Sequence, residues 1–312
     1  MKRVLVIGDV MLDKYIETNP VRISDEAPVL IVKETDVSYV LGGAGNTAAN
    51  LKAMGFDVVL QGVVGIDENG NIVKDILRNK GIIDALVIST TSIRTTVKKR
   101  ILCKGRQVIR VDSEGISSPV NPLLDEKVDI VVVSDYAKGV IGADTIRLLK
   151  ENYDVAVIVN GKPQNIRYYN SADTVVLNKR EADEALVVLG VKDYNDIAGA
   201  LDILYLVVTK GDKGIEAYNK DGLAYSVEAD NVDVKDITGA GDTVTAALAL
   251  EISLSGEMDK AIKVANLAGG IKVTKDKTSE VSVEELTANP ESVGILSTEQ
   301  IVSNLESDRL DG

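Results

Sequence analysis

The apolar residues of this chain fall into short unbroken runs, each closed by a polar or glycine-containing step. Val4-Leu5-Val6-Ile7 ends in Gly8-Asp9, Val58-Val59-Leu60-Gln61-Gly62-Val63-Val64 ends in Gly65, and Ile130-Val131-Val132-Val133 ends in Ser134-Asp135. Residues 155–159 end at Asn160-Gly161-Lys162, Thr174-Val175-Val176-Leu177 ends at Asn178, and residues 204–208 end at Thr209-Lys210-Gly211. Apolar runs without alternation predict strands covered on both faces, as in a parallel sheet flanked by helices. Such a sheet builds its site along the carboxyl edge of its strands, which is where this chain repeatedly places polar groups.

Two stretches break the pattern. Between residues 15 and 39, Pro20 and Pro28 disfavour helix, and Val29-Leu30-Ile31-Val32 and Val37-Ser38-Tyr39-Val40 predict two short strands in a small extension from the main sheet. Residues 95–102 and 107–111 predict a hairpin turning at Lys104-Gly105. That hairpin is basic in an acidic chain, with Lys98, Lys99, Arg100, Lys104, Arg106 and Arg110 close together. Its charges suit either a solvated edge strand or a lid that captures an anion. Helices are predicted over residues 47–54, 71–79 and 260–271, closed by Gly55 and Gly81 in the first two cases. The expectation is one α/β domain over residues 1–287 with a mostly parallel central sheet, helices on both faces, a small β lid from about 14–41 and 93–112, and a tail at 288–312.

With 312 residues and 45% hydrophobic content, the chain can bury a large core. Its formal charge of −13 argues against nucleic acid or an anionic membrane as partner, because those surfaces recruit clustered Lys and Arg. It contains no histidine, so any chemistry uses carboxylates, Lys, Arg, amides and backbone. A single cysteine, Cys103, provides neither an intramolecular disulfide nor a zinc cluster, which fits a cytoplasmic location. No apolar run approaches the ~20 residues of a membrane span, and the first residues are too briefly apolar for a signal peptide.

The candidate chemistry centres on Asp236-Ile237-Thr238-Gly239-Ala240-Gly241-Asp242-Thr243, which runs into Val244-Thr245-Ala246-Ala247-Leu248-Ala249-Leu250. Two glycines allow a tight turn before a strong helix former, and the free amides and positive dipole end of that helix favour a phosphate. Asp242 in the same turn would repel the phosphate unless a substrate hydroxyl or a metal lay between them, a combination that points to phosphoryl transfer to an alcohol. An Asp that simply complements the helix dipole is the plainer alternative. Gly42-Gly43-Ala44-Gly45-Asn46 is a second glycine-rich turn, in which Asn46 offers donors and an acceptor to sugar hydroxyls. Asn178 and Glu181, three apart, suit either magnesium held through water or a capping box. Thr209-Lys210-Gly211-Asp212-Lys213-Gly214 reads as a phosphate loop or a hairpin turn. No G-x-x-x-x-G-K-[ST] loop is present, which argues against a P-loop kinase.

Taken in order, Gly42-Gly43-x-x-Asn46, Asn178-x-x-Glu181, Thr209-x-Gly211-x-x-Gly214 and Thr238-Gly239-Ala240-Gly241-Asp242-Thr243 resemble the ribokinase-like (PfkB) carbohydrate kinase family. Gly8-Asp9-Val10-Met11-Leu12-Asp13-x-Tyr15, residues 22–29 and Ser134-Asp135-Tyr136-Ala137-Lys138-Gly139 are similar to its D-glycero-D-manno-heptose-7-phosphate kinase subgroup. The resemblance implies a ribokinase-like fold and transfer of the ATP γ-phosphate to the anomeric hydroxyl of that heptose phosphate, on the route to nucleotide-activated heptose. It implies Asp242 as base, with the amides of Gly239, Ala240 and Gly241 stabilising the transferring group. Asp13, Gly42, Gly43, Asn46, Arg100, Asp135 and Lys138 would contact the sugar phosphate. Lys162, Asn178, Thr209, Gly211, Thr238 and Asn266 would line the ATP. Asn178 and Glu181 would hold Mg2+ through water, and Asp236 a monovalent cation such as K+. Asn160 stands where the subgroup has Asp, Gly45 where it has Ala, and Lys277 where the cation loop has Gly. Residues 294–301 resemble a linker that in fused relatives leads to a nucleotidyltransferase, so the expectation is a kinase-only chain, a homodimer, with that transferase separate. Another sugar kinase of the same fold, or a non-catalytic sugar- or nucleotide-binding relative, are the rival readings.

Overall fold

The computed structural model describes residues 2–122, 127–277 and 279–288. The tail expected beyond residue 288 therefore lies outside the described residues. The chain opens with β1 (Arg3–Gly8), β2 (Val10–Ile23) and β3 (Leu30–Gly43), then α1 (Ala44–Ala53), β4 (Asp57–Gly65), α2 (Glu68–Asn79) and β5 (Ile83–Thr90). A hairpin of β6 (Thr96–Cys103) and β7 (Arg106–Ser113) precedes the alternating part: β8 (Ile130–Ser134), α3 (Thr145–Asn152), β9 (Val157–Asn160), β10 (Thr174–Asn178), α4 (Lys179–Leu189), α5 (Tyr194–Ala200) and β11 (Tyr205–Thr209). The hairpin β12 (Ile215–Asn219) and β13 (Gly222–Val227) follows, and α6 (Ala240–Ser255), α7 (Met258–Val273) and α8 (Val283–Thr287) complete it.

Among the described residues a nine-stranded sheet runs in the order β13-β12-β11-β10-β9-β8-β1-β4-β5, parallel except for the β12–β13 edge. The unbroken apolar runs explain it, because successive side chains serve opposite faces. Val4, Val6, Val132, Ile158, Val176 and Val207 pack on one side with α1, α2, α6 and α7. Leu5, Ile7, Val131, Val133, Val159, Val175, Leu177 and Val208 pack on the other with α3, α4 and α5. Each such side chain contributes roughly 1.5–3 kcal/mol by leaving water. From β1 the chain builds outward to β4 and β5 on one side and to β8 through β11 on the other. The strand order thus switches at β1 and β8, where Gly8 pairs with Ser134 and the carboxyl ends leave a crevice.

A second sheet, β3-β2-β6-β7, carries the basic hairpin. Lys104 and Gly105 both take positive φ, 52° and 74°, the mirror-image turn that suits the twist of a two-residue hairpin. The two short strands expected over residues 29–40 are instead one strand, β3, paired along its length with β2. Lys33, Glu34 and Asp36 lie opposite Asn19, Thr18 and Glu17, so ladder bonds to β2 override the weak local propensity of this polar stretch. Pro20 is accommodated where the register shifts between Pro20 and Arg22.

Candidate active site

Three segments converge on Asp242. Gly239, with φ of 80°, turns the chain into α6, and Asp242 sits in the first turn of that helix with 3% of its surface exposed. Its Oδ2 accepts from Asn46 Nδ2 at 2.7 Å, and its Oδ1 accepts from Tyr136 Oη at 2.7 Å, Asn160 Nδ2 at 3.1 Å and Thr47 Oγ1 at 3.2 Å. All four donors are neutral. Burial raises the Asp242 carboxyl above the usual range, while these bonds and the charge of Lys162 oppose the rise. A carboxylate in the first turn merely to complement the dipole would be solvated, so that plainer reading does not describe this group.

Around Asp242 the glycines have steric reasons. Gly43 starts α1 at φ of 57°, and a Cβ there would run into the Asp9 carbonyl. At Gly42 a Cβ would stand 2.8 Å from Met11 Cγ and 3.2 Å from Asp13 Oδ2. The α1 turn is thus pressed against β2, which positions Asn46 and Thr47. Asn50 ties the two helices, because Thr243 Oγ1 donates to its Oδ1 at 3.0 Å.

Asp13 and Arg100 face each other as a buried pair, Nη1 to Oδ1 at 2.7 Å, and the guanidinium also stacks 5.3 Å from the Tyr15 ring. Lys138 is paired with Glu114 at 2.7 Å. Asp135, expected to contact the sugar, is used differently: it is buried and accepts from the Ala137 amide at 2.6 Å, Asn165 Nδ2 at 2.8 Å and Tyr169 Oη at 2.7 Å. It braces the 134–139 loop instead, because a short strand end leaves backbone groups that a carboxylate can satisfy. Asp9 does the same from β1, accepting the amides of Tyr136, Lys138 and Val140 at 2.7, 2.9 and 3.2 Å.

On the other side of Asp242 lies a cavity of about 470 Å³ lined by Thr209, Gly211, Gly214, Ile237, Ala240, Gly241, Val244, Asn266 and Gly270, among others. It gathers Thr209, Gly211 and Asn266, which the family resemblance assigns to a nucleotide. Asn266 Nδ2 donates to the Glu228 carbonyl at 3.0 Å. The amide of Ala240 already donates to the Ile237 carbonyl at 3.2 Å, so it is not free as expected of a three-amide cradle. Among the described residues no acceptor faces the amides of Gly239, Gly241 and Asp242. A Cβ on Gly241 would meet nothing within 4 Å, so the cradle opens into space.

Asn178 and Glu181 form the capping box of α4: the Glu181 amide donates to Asn178 Oδ1 at 2.9 Å and the Asn178 amide donates to Glu181 Oε2 at 3.0 Å. The Glu181 carboxylate also pairs with Lys162, whose Nζ lies 4.9 Å from the Tyr136 ring centroid. Among the described residues no group of three or more acidic, Cys or His side chains is arranged to hold a metal directly. The Glu181 carboxylate, already held by an amide and by Lys162, could reach an ion through that ion's water shell. Asp236 accepts the Thr238 amide at 2.8 Å and the Lys277 amide at 3.1 Å. Sequence reasoning missed Thr47 and Tyr136 as Asp242 partners. Thr47 adjoins Asn46 and Tyr136 lies in a quoted motif, but only the fold brings residues 47, 136 and 160 to 242.

No described helix is long and apolar enough to cross a membrane. The fold is shared with ribokinase from Thermotoga maritima, at a TM-score of 0.73 and 19% identity, covering 92% of this chain and 99% of that one. Among curated proteins, the chain is 38% identical to D-beta-D-heptose 7-phosphate kinase of Bordetella bronchiseptica, over 91% of this chain and 95% of the relative. It is 34% identical to the bifunctional protein HldE of Campylobacter curvus over 91% of its own length, and it spans 64% of that longer relative, a little under two thirds. The pfkB family carbohydrate kinase profile matches residues 1–286. On that match and the 38% identity to a relative of nearly equal extent, the chain belongs to the pfkB family of carbohydrate kinases.

Proposed function

We propose that the chain transfers the γ-phosphoryl group of ATP to the anomeric hydroxyl of D-glycero-D-manno-heptose 7-phosphate, giving the 1,7-bisphosphate, in the cytoplasm. The observation that carries the reading is Asp242: a buried carboxylate, held only by neutral donors and raised in basicity by burial, beside unpaired amides at the start of α6. Such a group can take a hydroxyl proton as the phosphoryl group arrives, and positioning plus charge neutralisation supply most of the rest. In this reading Asn46, Gly42, Gly43, Asp13 and Arg100 hold the sugar, and the amides of Gly239 and Gly241 receive the phosphoryl group. ATP lies in the adjoining cavity along Thr209, Gly211 and Asn266, with Thr238, Lys162 and Asn178, which do not line that cavity, assigned to its phosphates by the family resemblance.

Mg2+, held through water by Glu181, would neutralise charge on the nucleotide phosphates. Lys98, half-buried between β2 and β7 with its Nζ 5.3 Å from the Tyr136 ring centroid, suits the distal phosphate of the sugar. Similarity to the D-beta-D-heptose 7-phosphate kinase of Bordetella supports the substrate class, and a nucleotidyltransferase acting on the product is part of the same proposal. A homodimer through the second sheet is part of the same proposal.

The test is ADP release with the heptose 7-phosphate, the unphosphorylated heptose, ribose and fructose 6-phosphate. The heptose 7-phosphate should give the highest kcat/KM, and Asp242→Asn should keep the fold while losing roughly 10²–10⁴ in rate. Preference for an unphosphorylated sugar, or near-full activity of Asp242→Asn, would overturn the reading.

A further inference from the structure

The family resemblance implies a monovalent cation beside Asp236 and the turn after α7, and the residues present do not fit one. Lys272, in the last turn of α7, is wholly buried. Its Nζ donates to the carbonyl of Lys277 at 2.6 Å. Burial pulls the Lys272 ammonium down, and the Asp236 carboxylate is the first charge that opposes the fall. Asp236 in turn accepts the amides of Lys277 and Thr238, one on each oxygen. The Lys277 carbonyl is therefore already bound by a tethered positive charge, and the Asp236 carboxylate lies within the field of that charge. A second cation there would meet like charge in a dry setting.

We propose that Lys272 is a built-in cation, a positioning residue whose ammonium locks the Asp236 loop to the 274–277 turn and so sets the anion cradle that begins at Thr238. The backbone around it agrees. Lys277 has φ of 56°, the left-handed region that glycine favours, so the turn keeps a glycine-like path although a lysine occupies it. The amides of Lys235 and Asp236 donate to the Val273 carbonyl at 2.8 and 3.2 Å, fixing the loop to the end of the same helix. Lys277 Nζ reaches Ser38 Oγ on β3 at 3.0 Å, so the lock also touches the second sheet. The consequence is a kinase whose turnover does not need K+.

The inference rests on the kinase reading for its rate measurement but not for its thermal one. Wild type and Lys272→Ala are melted and assayed for ADP release in KCl and in tetramethylammonium chloride, whose cation is too large for the site. Wild type should melt and turn over equally in both salts. Lys272→Ala should melt lower in tetramethylammonium and lose roughly tenfold or more in kcat with sugar KM little changed, and KCl should restore both. A merely structural lysine would give a loss that K+ does not repair. Stimulation of wild type by K+, or a Lys272→Ala defect indifferent to K+, overturns the proposal. Should Lys272→Ala fail to fold, Lys272→Met and the wild-type salt comparison decide it. If no sugar supports ADP release, the kinase reading fails while the melting curves still judge the cation.

Discussion

A buried carboxylate surrounded by neutral donors is a stronger base than one in water, because losing hydration penalises its charged form more than uncharged partners restore. That is the state of Asp242, and its bonds to Asn46, Thr47, Tyr136 and Asn160 also fix its orientation. Gly241 shows how finely the neighbouring cradle is shaped. Beyond its own turn of helix an added methyl meets no atom within 4 Å, so Gly241→Ala should not lower the melting temperature. The same methyl would border the cavity proposed for the nucleotide, so the KM for ATP should rise roughly tenfold or more. Equal loss of stability and ATP affinity would show that the glycine serves the helix turn instead. Asp242 and this glycine were legible in the sequence because they share one short motif. The donors were not, since they come from 82 to 196 residues away. Asn160 read as a missing carboxylate, whereas in the fold its amide donates to Asp242.

At the scale of elements, the parallel strands could be read in advance because unbroken apolar runs mean burial on both faces. The long β2–β3 ladder could not, since Lys33, Glu34 and Asp36 have little strand propensity and only pairing holds them extended. The β1-to-β8 crevice depends on a device equally hidden in sequence: Asp9, at the end of β1, gathers three amides of the loop after β8. Burial pushes its pKa from 3.8 to about 6, with the Lys138 amide pulling it back and the charge of Asp135 pushing it further up. A raised carboxyl means that the folded state keeps a proton that the unfolded state has lost between 3.8 and about 6. The Asp9 contribution to stability is therefore greatest below that window and falls as pH rises through it. Urea unfolding across the window should show the stability of wild type declining relative to Asp9→Asn as pH increases. A difference independent of pH would mean that Asp9 ionises normally in the fold.

The whole molecule presents an acidic surface, a charge of −13, and one face that departs from it. Every residue of β7 is exposed, including Val108, Ile109 and Val111, and at the far end of β2 and β3 and in the loop between them so are Val21, Ile23, Val29 and Leu30. β3 and β7 are the two edges of the second sheet, so both offer unpaired backbone as well as apolar side chains. Exposed edges of this kind invite a strand from another copy unless something covers them. A second copy of the chain suits the face because its apolar groups can be matched by themselves about a two-fold axis, and a stable pairing needs roughly 1,200–2,000 Å² in total. Lys98 and Arg100 of β6 would then border the sugar site rather than the join. Sedimentation at micromolar concentration should report a homodimer, and Ile109→Glu, placing a charge in the middle of β7, should shift it to monomer while ATP binding stays within about twofold. ATP is the right control because the cavity proposed for it lies between β11, α6 and α7, on the main sheet and away from this face. If the unaltered chain sediments as a monomer, the apolar edge strands have another occupant, and the sugar site must be complete within one copy.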